Sequence, residues 1–204
     1  MSIYSEKLFP WGYDFLMKSE PKSKARNELL EDVNGEILEV GFGTGLNLAH
    51  YPKYVKQITT VDNNPGMDAK AVLNIAQSSI SVKNRVADGE KLPFEDESFD
   101  SVITTYSLCS IKNAELALQE IKRVLKPDGH YYFLEHGLSN ERHIQKWQHR
   151  LNPIQKVIAA GCHINRDIVQ LIKSVGLDVH SLKNFYIKGD PKTHGFTYLG
   201  VAGK

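Results

Sequence analysis

The apolar positions of this 204-residue chain fall into short runs that alternate with longer amphipathic stretches. Residues 36–41 (EILEVG) read as a strand ending in glycine, and 57–62 (QITTVD) as a second ending in an acid. Between them LNLAHY reads as a short helix, and 65–79 as another, with Pro65 suited to its first turn. Residues 82–87 make a third strand. Residues 99–105 (FDSVITT) are β-branched and almost unbroken in apolar character, as in a strand covered on both faces. The spacing then predicts a helix over 113–125, with Leu116, Ile121, Val124 and Leu125 among its apolar positions. Lys126-Pro127-Asp128-Gly129 reads as a turn, and 130–135 (HYYFLE) as a fifth strand. Alternation of this kind predicts a parallel sheet with helices on both faces.

After residue 136 the rhythm changes. Amphipathic helices are expected over 140–160 and 165–174, then strands over 177–187 and 194–202 with no helix between them. GDPKTHG at 189–195 reads as the loop of a hairpin. The expectation is one α/β domain over 1–204, doubly wound and mostly parallel, closing on an antiparallel C-terminal hairpin.

Composition narrows the function classes. Hydrophobic residues are 41% of the chain, enough for a real core, and charged residues 24%. With 25 basic and 24 acidic residues the net charge is +1, so no nucleic-acid partner is expected. Cys109 and Cys162 form no CxxC pair, so no metal site is expected. Residues 1–10 lack a basic start followed by an apolar stretch, and no run approaches the ~18 apolar residues of a membrane span. A cytoplasmic location with reduced thiols is the expectation.

The chemistry concentrates at Glu39-Val-Gly-Phe-Gly-Thr-Gly45. Gly41, Gly43 and Gly45 follow a strand and open a helix, where the backbone must turn sharply and let a ligand approach. The dinucleotide spacing G-x-G-x-x-G fails, because positions 46 and 48 are leucine. Glu39 beside the loop suits a cationic ligand better than a pyrophosphate. Asp62, closing the second strand, is placed to accept from both hydroxyls of a ribose.

Four blocks in order, ILEVGFGTG, Asp62, ADGEKLPFEDESFDSVITTYSLCSI and LKPDGHYYFLEHG, resemble the class I S-adenosylmethionine (SAM)-dependent methyltransferases over roughly residues 36–136. The resemblance implies a Rossmann-like sheet of seven strands in the order 3-2-1-4-5-7-6. It also implies an N-terminal helical cap over about 1–32 and substrate-cap helices over about 138–175. SAM would be the cofactor. Glu39 and the Gly41–Gly45 loop, with Phe42, would face its methionine end, and Asp62 its ribose. Asn63 and Met67 would flank the adenine, and Asp88 would accept from the adenine amino group with Gly89 and Glu90 beside it. Thr105 and Tyr106 would sit below the sulfonium, and Tyr13 would reach the carboxylate from the cap. Residues 92–100 match a subgroup that includes quinone and small-molecule methyltransferases. SLCSIKNAE, FLEHG and GCHINRDI further resemble animal methyltransferase-like proteins that act on small alkyl thiols, and a similar loop occurs in bacterial phospholipid N-methyltransferases.

Methyl transfer from a sulfonium is an in-line displacement in which positioning supplies much of the rate. His136, ending the fifth strand, is the candidate general base; a role in shaping the pocket stays open beside it. Cys109, Trp147 and His163 are expected in the substrate pocket. Residues 140–166 carry Arg142, Lys146, Arg150, Lys156 and Arg166 against Glu141, which reads either as a solvated face or as a weak peripheral contact with anionic lipid. The expected partner is a small-molecule or lipid-like acceptor, with thiols among those implied. An NAD-type oxidoreductase and a non-catalytic SAM-binding protein are the competing readings.

Overall fold

A computed structural model describes residues 17–63, 65–159 and 161–204, with backbone alone over 65–70. The described chain runs α1 (Glu20–Leu30), β1 (Ile37–Val40), a 3-10 turn (Leu46–Ala49), β2 (Gln57–Asp62), α2 (Pro65–Gln77), β3 (Ser81–Val86) and β4 (Phe99–Thr105). It continues α3 (Ala114–Val124), β5 (Leu125–His136), α4 (Arg142–Ile158), α5 (Ile168–Ser174), β6 (Asp178–Tyr186), the one-turn α6 (Lys192–Gly195) and β7 (Phe196–Gly203). The strands form one sheet in the order β3-β2-β1-β4-β5-β7-β6. β1 to β5 pair in parallel, and β7 runs antiparallel to both β5 and β6. Sheet order and the closing hairpin both match the expectation.

Side-chain alternation along the central strands divides the core in two. Leu38, Val40, Val102, Tyr131 and Phe133 face one side, where they meet Leu118, Ile121 and Val124 of α3 and Ile168 and Ile172 of α5. Ile37, Ile103, Tyr132 and Leu134 face the other, against Ala25, Leu29 and Leu30 of α1 and Ala71 of α2. Each fully buried Leu or Ile contributes roughly 2 kcal/mol. The edge strand β3 is mostly exposed and carries Lys83 and Arg85, charges that discourage pairing with another sheet.

Two details differ from the sequence reading. Lys126–Gly129 is a bulge inside β5 rather than a turn before it: Phe99 pairs with Leu125 and Ser101 with His130, so the extra residues loop out. The last strand begins at Phe196 because 192–195 wind into α6. Finally, α5 packs on the sheet. Its Ile168 and Ile172 are fully buried on the sheet face beside α3, and Asp167 caps it by accepting from the Gln170 N–H. Among the described residues no helix is long and apolar enough to cross a membrane.

Candidate functional site

Strand order reverses between β1 and β4, and their carboxyl ends open a cleft there, as expected for open α/β sheets. The cleft holds about 500 Å³, within the usual size for a small-ligand site. Gly41, Gly43, Asp62, Asn63, Asp88, Gly89, Glu90 and Tyr106 all line it, together with Ser107, Ser110 and Ile111.

The three loop glycines do different work. Gly41 has φ +79°, and a Cβ there would strike the Ser107 side chain, whose Oγ donates to the Gly41 carbonyl at 3.0 Å. Gly43 has φ +57° and open space where a Cβ would stand, and its N–H donates to Asp62 Oδ2 at 2.7 Å. Bare backbone therefore faces the cleft. Gly45 lines neither the cleft nor the hollow behind the loop; at φ +76° it caps the 3-10 turn and seats the Phe42 ring. Gly45 thus serves the turn that follows the loop. The Phe42 ring is buried in the core, and the residue also lines the hollow.

That hollow is lined by Arg26, Glu39, Thr44, Asn47 and Thr105 as well as the loop itself. Glu39 is 2% exposed. Its Oε1 accepts from Asn47 Nδ2 at 3.0 Å and its Oε2 from the Tyr51 hydroxyl at 2.7 Å. Burial pushes its carboxyl up to about 7, against the pull of those two hydrogen bonds and of Arg26. Asn47 also donates to Thr105 Oγ1 at 2.9 Å, tying the 3-10 turn to the end of β4. Arg26 donates to Asn47 Oδ1 at 3.0 Å, and its guanidinium lies 5.6 Å from the centre of the Tyr106 ring.

Among the residues expected around adenine, Asp88 Oδ1 accepts from the Glu90 N–H at 3.0 Å, closing a tight turn. Glu90 accepts from the Asn113 N–H at 2.7 Å, so its carboxylate anchors the start of α3. Tyr13 lies outside the described residues, as does the side chain of Met67.

Beyond Tyr106 the site changes character. Tyr106 itself has φ +52°, unusual for a side chain of its size and a common mark of functional positions. The ring of His136 stacks on it at 6.2 Å. His136 Nε2 lies 3.0 Å from Cys162 Sγ, and His136 Nδ1 is buried with no partner among the described residues. The ligand atoms of Cys109, His136 and Cys162 are all within 4.8 Å of one another. A hydrogen bond from Cys162 holds the Cys109 thiol well below its ordinary value despite burial, with His136 adding to the effect, while Cys162 is pushed up. His163 stands next to this cluster, its N–H donating to the Cys109 carbonyl at 2.9 Å. Trp147 does not join it. Its ring is 54% exposed on the outer side of α4, under the Arg150 guanidinium at 5.6 Å, because α4 turns Ile144 and Gln148 inward instead.

Several contributors escaped the sequence reading. Glu135 Oε1 accepts from the N–H groups of Ser107 and Leu108, both at 3.0 Å, and so fixes the loop after β4. Burial pushes the Glu135 carboxyl up to about 8, and the neighbouring Cys109 thiolate adds to the rise. Asn47 and Tyr51 gave no signal, since neither belongs to a recognisable spacing. Arg26 did leave one: with Lys22 it places charge at i and i+4 on the helix stripe that also carries Ala25, Leu29 and Leu30, where apolar residues belong.

Residues 38–133 match the family described as "Methyltransferase domain". This segment, just under half of the chain, is similar to methyltransferase domains. This likeness and the fold imply S-adenosylmethionine as cofactor, and the glycine loop, Asp62 and Glu39 offer a donor set that fits a ligand with a ribose and a cationic amino-acid end. The chain is 36% identical to the thiol S-methyltransferase TMT1B of Rattus norvegicus over 160 residues, covering 74% of this chain and 65% of that protein. It is 37% identical to human thiol S-methyltransferase TMT1A over 135 residues, 64% of this chain and 55% of the relative. The chain therefore spans less than two thirds of the length of these relatives. A chain of the complex between the Haloferax volcanii Trm112 methyltransferase activator and a methyltransferase shares the fold with TM-score 0.72, at 20% identity over 97% of both chains. So does a SAM-dependent methyltransferase from Thermotoga maritima, with TM-score 0.66 at 18% identity, covering 99% of this chain and 98% of that one.

Proposed function

We propose that this protein transfers the methyl group of SAM to the sulfur of a small-molecule thiol. The single observation that carries the reading is the likeness to thiol S-methyltransferases at 36% identity, and the site is consistent with it. Bound SAM supplies an activated methyl group on a sulfonium. The protein's share is to hold that end in place, exclude water and bring the acceptor sulfur into line. Asp62 would hold the ribose, Asp88 and Asn63 the adenine end, and Glu39 the cationic end from behind the glycine loop.

The acceptor side supports sulfur on chemical grounds. A thiol, with an ordinary pKa near ~8.5, loses its proton far more readily than a phenol near ~10. His136 is the base at hand: the Cys109 thiolate raises its pKa although burial opposes the charge. An imidazole with a free ring nitrogen is enough to take a thiol proton. The sulfur then forms its bond to the methyl carbon as the sulfonium carbon–sulfur bond breaks, releasing a thioether and S-adenosylhomocysteine. Tyr106, Ser107 and Ser110 line the cleft. The test is release of S-adenosylhomocysteine with a panel of alkyl thiols, a quinol and a primary amine. Turnover is expected with the thiols; turnover confined to the quinol or the amine rejects the reading.

A further inference from the structure

Cys109, His136 and Cys162 are brought together from three separate segments: the loop after β4, the end of β5 and the loop between α4 and α5. Besides the 3.0 Å contact of His136 Nε2 with Cys162 Sγ, these segments are held by contacts that do not use the ligand atoms. The His163 N–H donates to the Cys109 carbonyl at 2.9 Å, and the Cys162 N–H to the Ala159 carbonyl at 3.0 Å. Arg166 donates to the carbonyls of Leu108 and Lys112. Glu135 clamps the Ser107 and Leu108 N–H groups. Two sulfurs and one imidazole nitrogen are thereby presented to one point by a scaffold that stands without them.

We propose that Cys109, His136 and Cys162 bind one thiophilic divalent metal ion of the zinc class and leave its fourth coordination position open. Zinc takes thiolate sulfur at ~2.3 Å and imidazole nitrogen at about 2.0–2.1 Å in a tetrahedron, which sets neighbouring ligand atoms roughly 3.5–3.8 Å apart. The three atoms already lie within 4.8 Å of one another, so binding needs His136 and Cys162 to part slightly from their 3.0 Å contact and the other pairs to close by about 1 Å at most. Charge also balances. Two thiolates neutralise the dication and the imidazole stays neutral, so the loaded site carries no net charge into a buried setting. Coordination through Nε2 leaves the ring proton on Nδ1, and the stacked Tyr106 fixes the ring plane. Three protein ligands with one open position is the pattern of metal sites that accept a substrate.

The place of the site gives the open position a purpose. Cys109 Sγ is 3.6 Å from the hydroxyl of Ser110, and Ser110 and Tyr106 both line the cofactor cleft. On the thiol-acceptor reading, on which this step rests, the acceptor sulfur takes the fourth position. With Nε2 on the metal and Nδ1 protonated, His136 acts as a ligand in place of the base; the acceptor proton leaves to water on coordination, and the resulting thiolate is held beside the cleft.

The experiment loads the full-length protein with Co2+ under anaerobic, reducing conditions, with Zn2+ competition to obtain its affinity. About one metal ion per chain is expected, with a thiolate-to-cobalt charge-transfer band and the visible bands of a tetrahedral ion. Cys109→Ala and Cys162→Ala should each weaken metal binding at least tenfold and diminish the charge-transfer band, while SAM binding by calorimetry reports that the variants fold. Substoichiometric cobalt in the wild-type protein, or binding unchanged in the double variant, overturns the site, as does a Cys109–Cys162 disulfide that persists under reductant. Adding an alkyl thiol should shift the visible bands. If metal binds and the bands stay put, the open-position step fails. If thiols are methylated by protein shown to be metal-free, the metal site fails and the thiol reading stands.

Discussion

At the scale of single residues, Glu39 sets a pH dependence. The folded protein keeps the Glu39 proton up to about pH 7, whereas an unfolded chain releases it near 4.5. The folded state therefore binds more protons across that window, and ionising Glu39 costs stability as pH rises through it. A cationic ligand favours the carboxylate, so SAM should bind more tightly as pH climbs from below to above that value, releasing a proton. Calorimetry in buffers of different ionisation enthalpy reads that proton directly, and Glu39→Gln should flatten the profile. A pH-independent affinity contradicts the assignment. Asp62 makes a second prediction. Its carboxylate takes the Gly43 N–H at 2.7 Å and faces the cleft, so Asp62→Ala should weaken SAM binding on the order of 10–100-fold, the worth of a charge-assisted hydrogen bond.

At the scale of elements, the glycine loop separates stability from binding. Gly41→Ala puts a Cβ into Ser107 and a side chain at φ +79°, so it should destabilise the fold by about 2 kcal/mol or more. Gly43→Ala meets nothing in the protein and should cost only about 1 kcal/mol in urea unfolding while sharply reducing SAM affinity. Equal effects of the two changes on stability and on binding would refute this division. The loop was legible in the sequence because a strand, spaced glycines and a following acid are local signals. So were the seven strands, since buried parallel strands such as β4 write their burial as unbroken apolar runs. What stayed hidden depends on which residues meet across the fold. Trp147 and Gln148 are neighbours on an amphipathic helix, and only the packing of α4 shows that Gln148 points inward. Its amide donates to the Gly137 carbonyl at 2.9 Å, a contact no periodicity foretells. The same holds for Cys109 and Cys162, whose separation in sequence concealed that one histidine joins them.

At the scale of the molecule, the two ends of the described chain are tied across the sheet. Lys22 of α1 pairs with Asp190, in the loop before α6, at 2.7 Å, and the lysine side chain is only 6% exposed. Removing the carboxylate takes an ion-pair partner from a buried ammonium, so Asp190→Ala should cost on the order of 2–3 kcal/mol in urea unfolding. Asp190→Asn should cost less, because it keeps an acceptor. A negligible loss in the alanine variant would mean that this tie does not hold α1 in place. The cleft depends on that placement, because α1 supplies Arg26 behind the glycine loop and against Tyr106. Transfer of a deuterated methyl group from labelled SAM to a small alkyl thiol, followed by mass spectrometry, tests the central claim most directly. A labelled thioether formed in step with S-adenosylhomocysteine is the predicted result. Label appearing on an oxygen, nitrogen or carbon acceptor, with the thiol untouched, would contradict it.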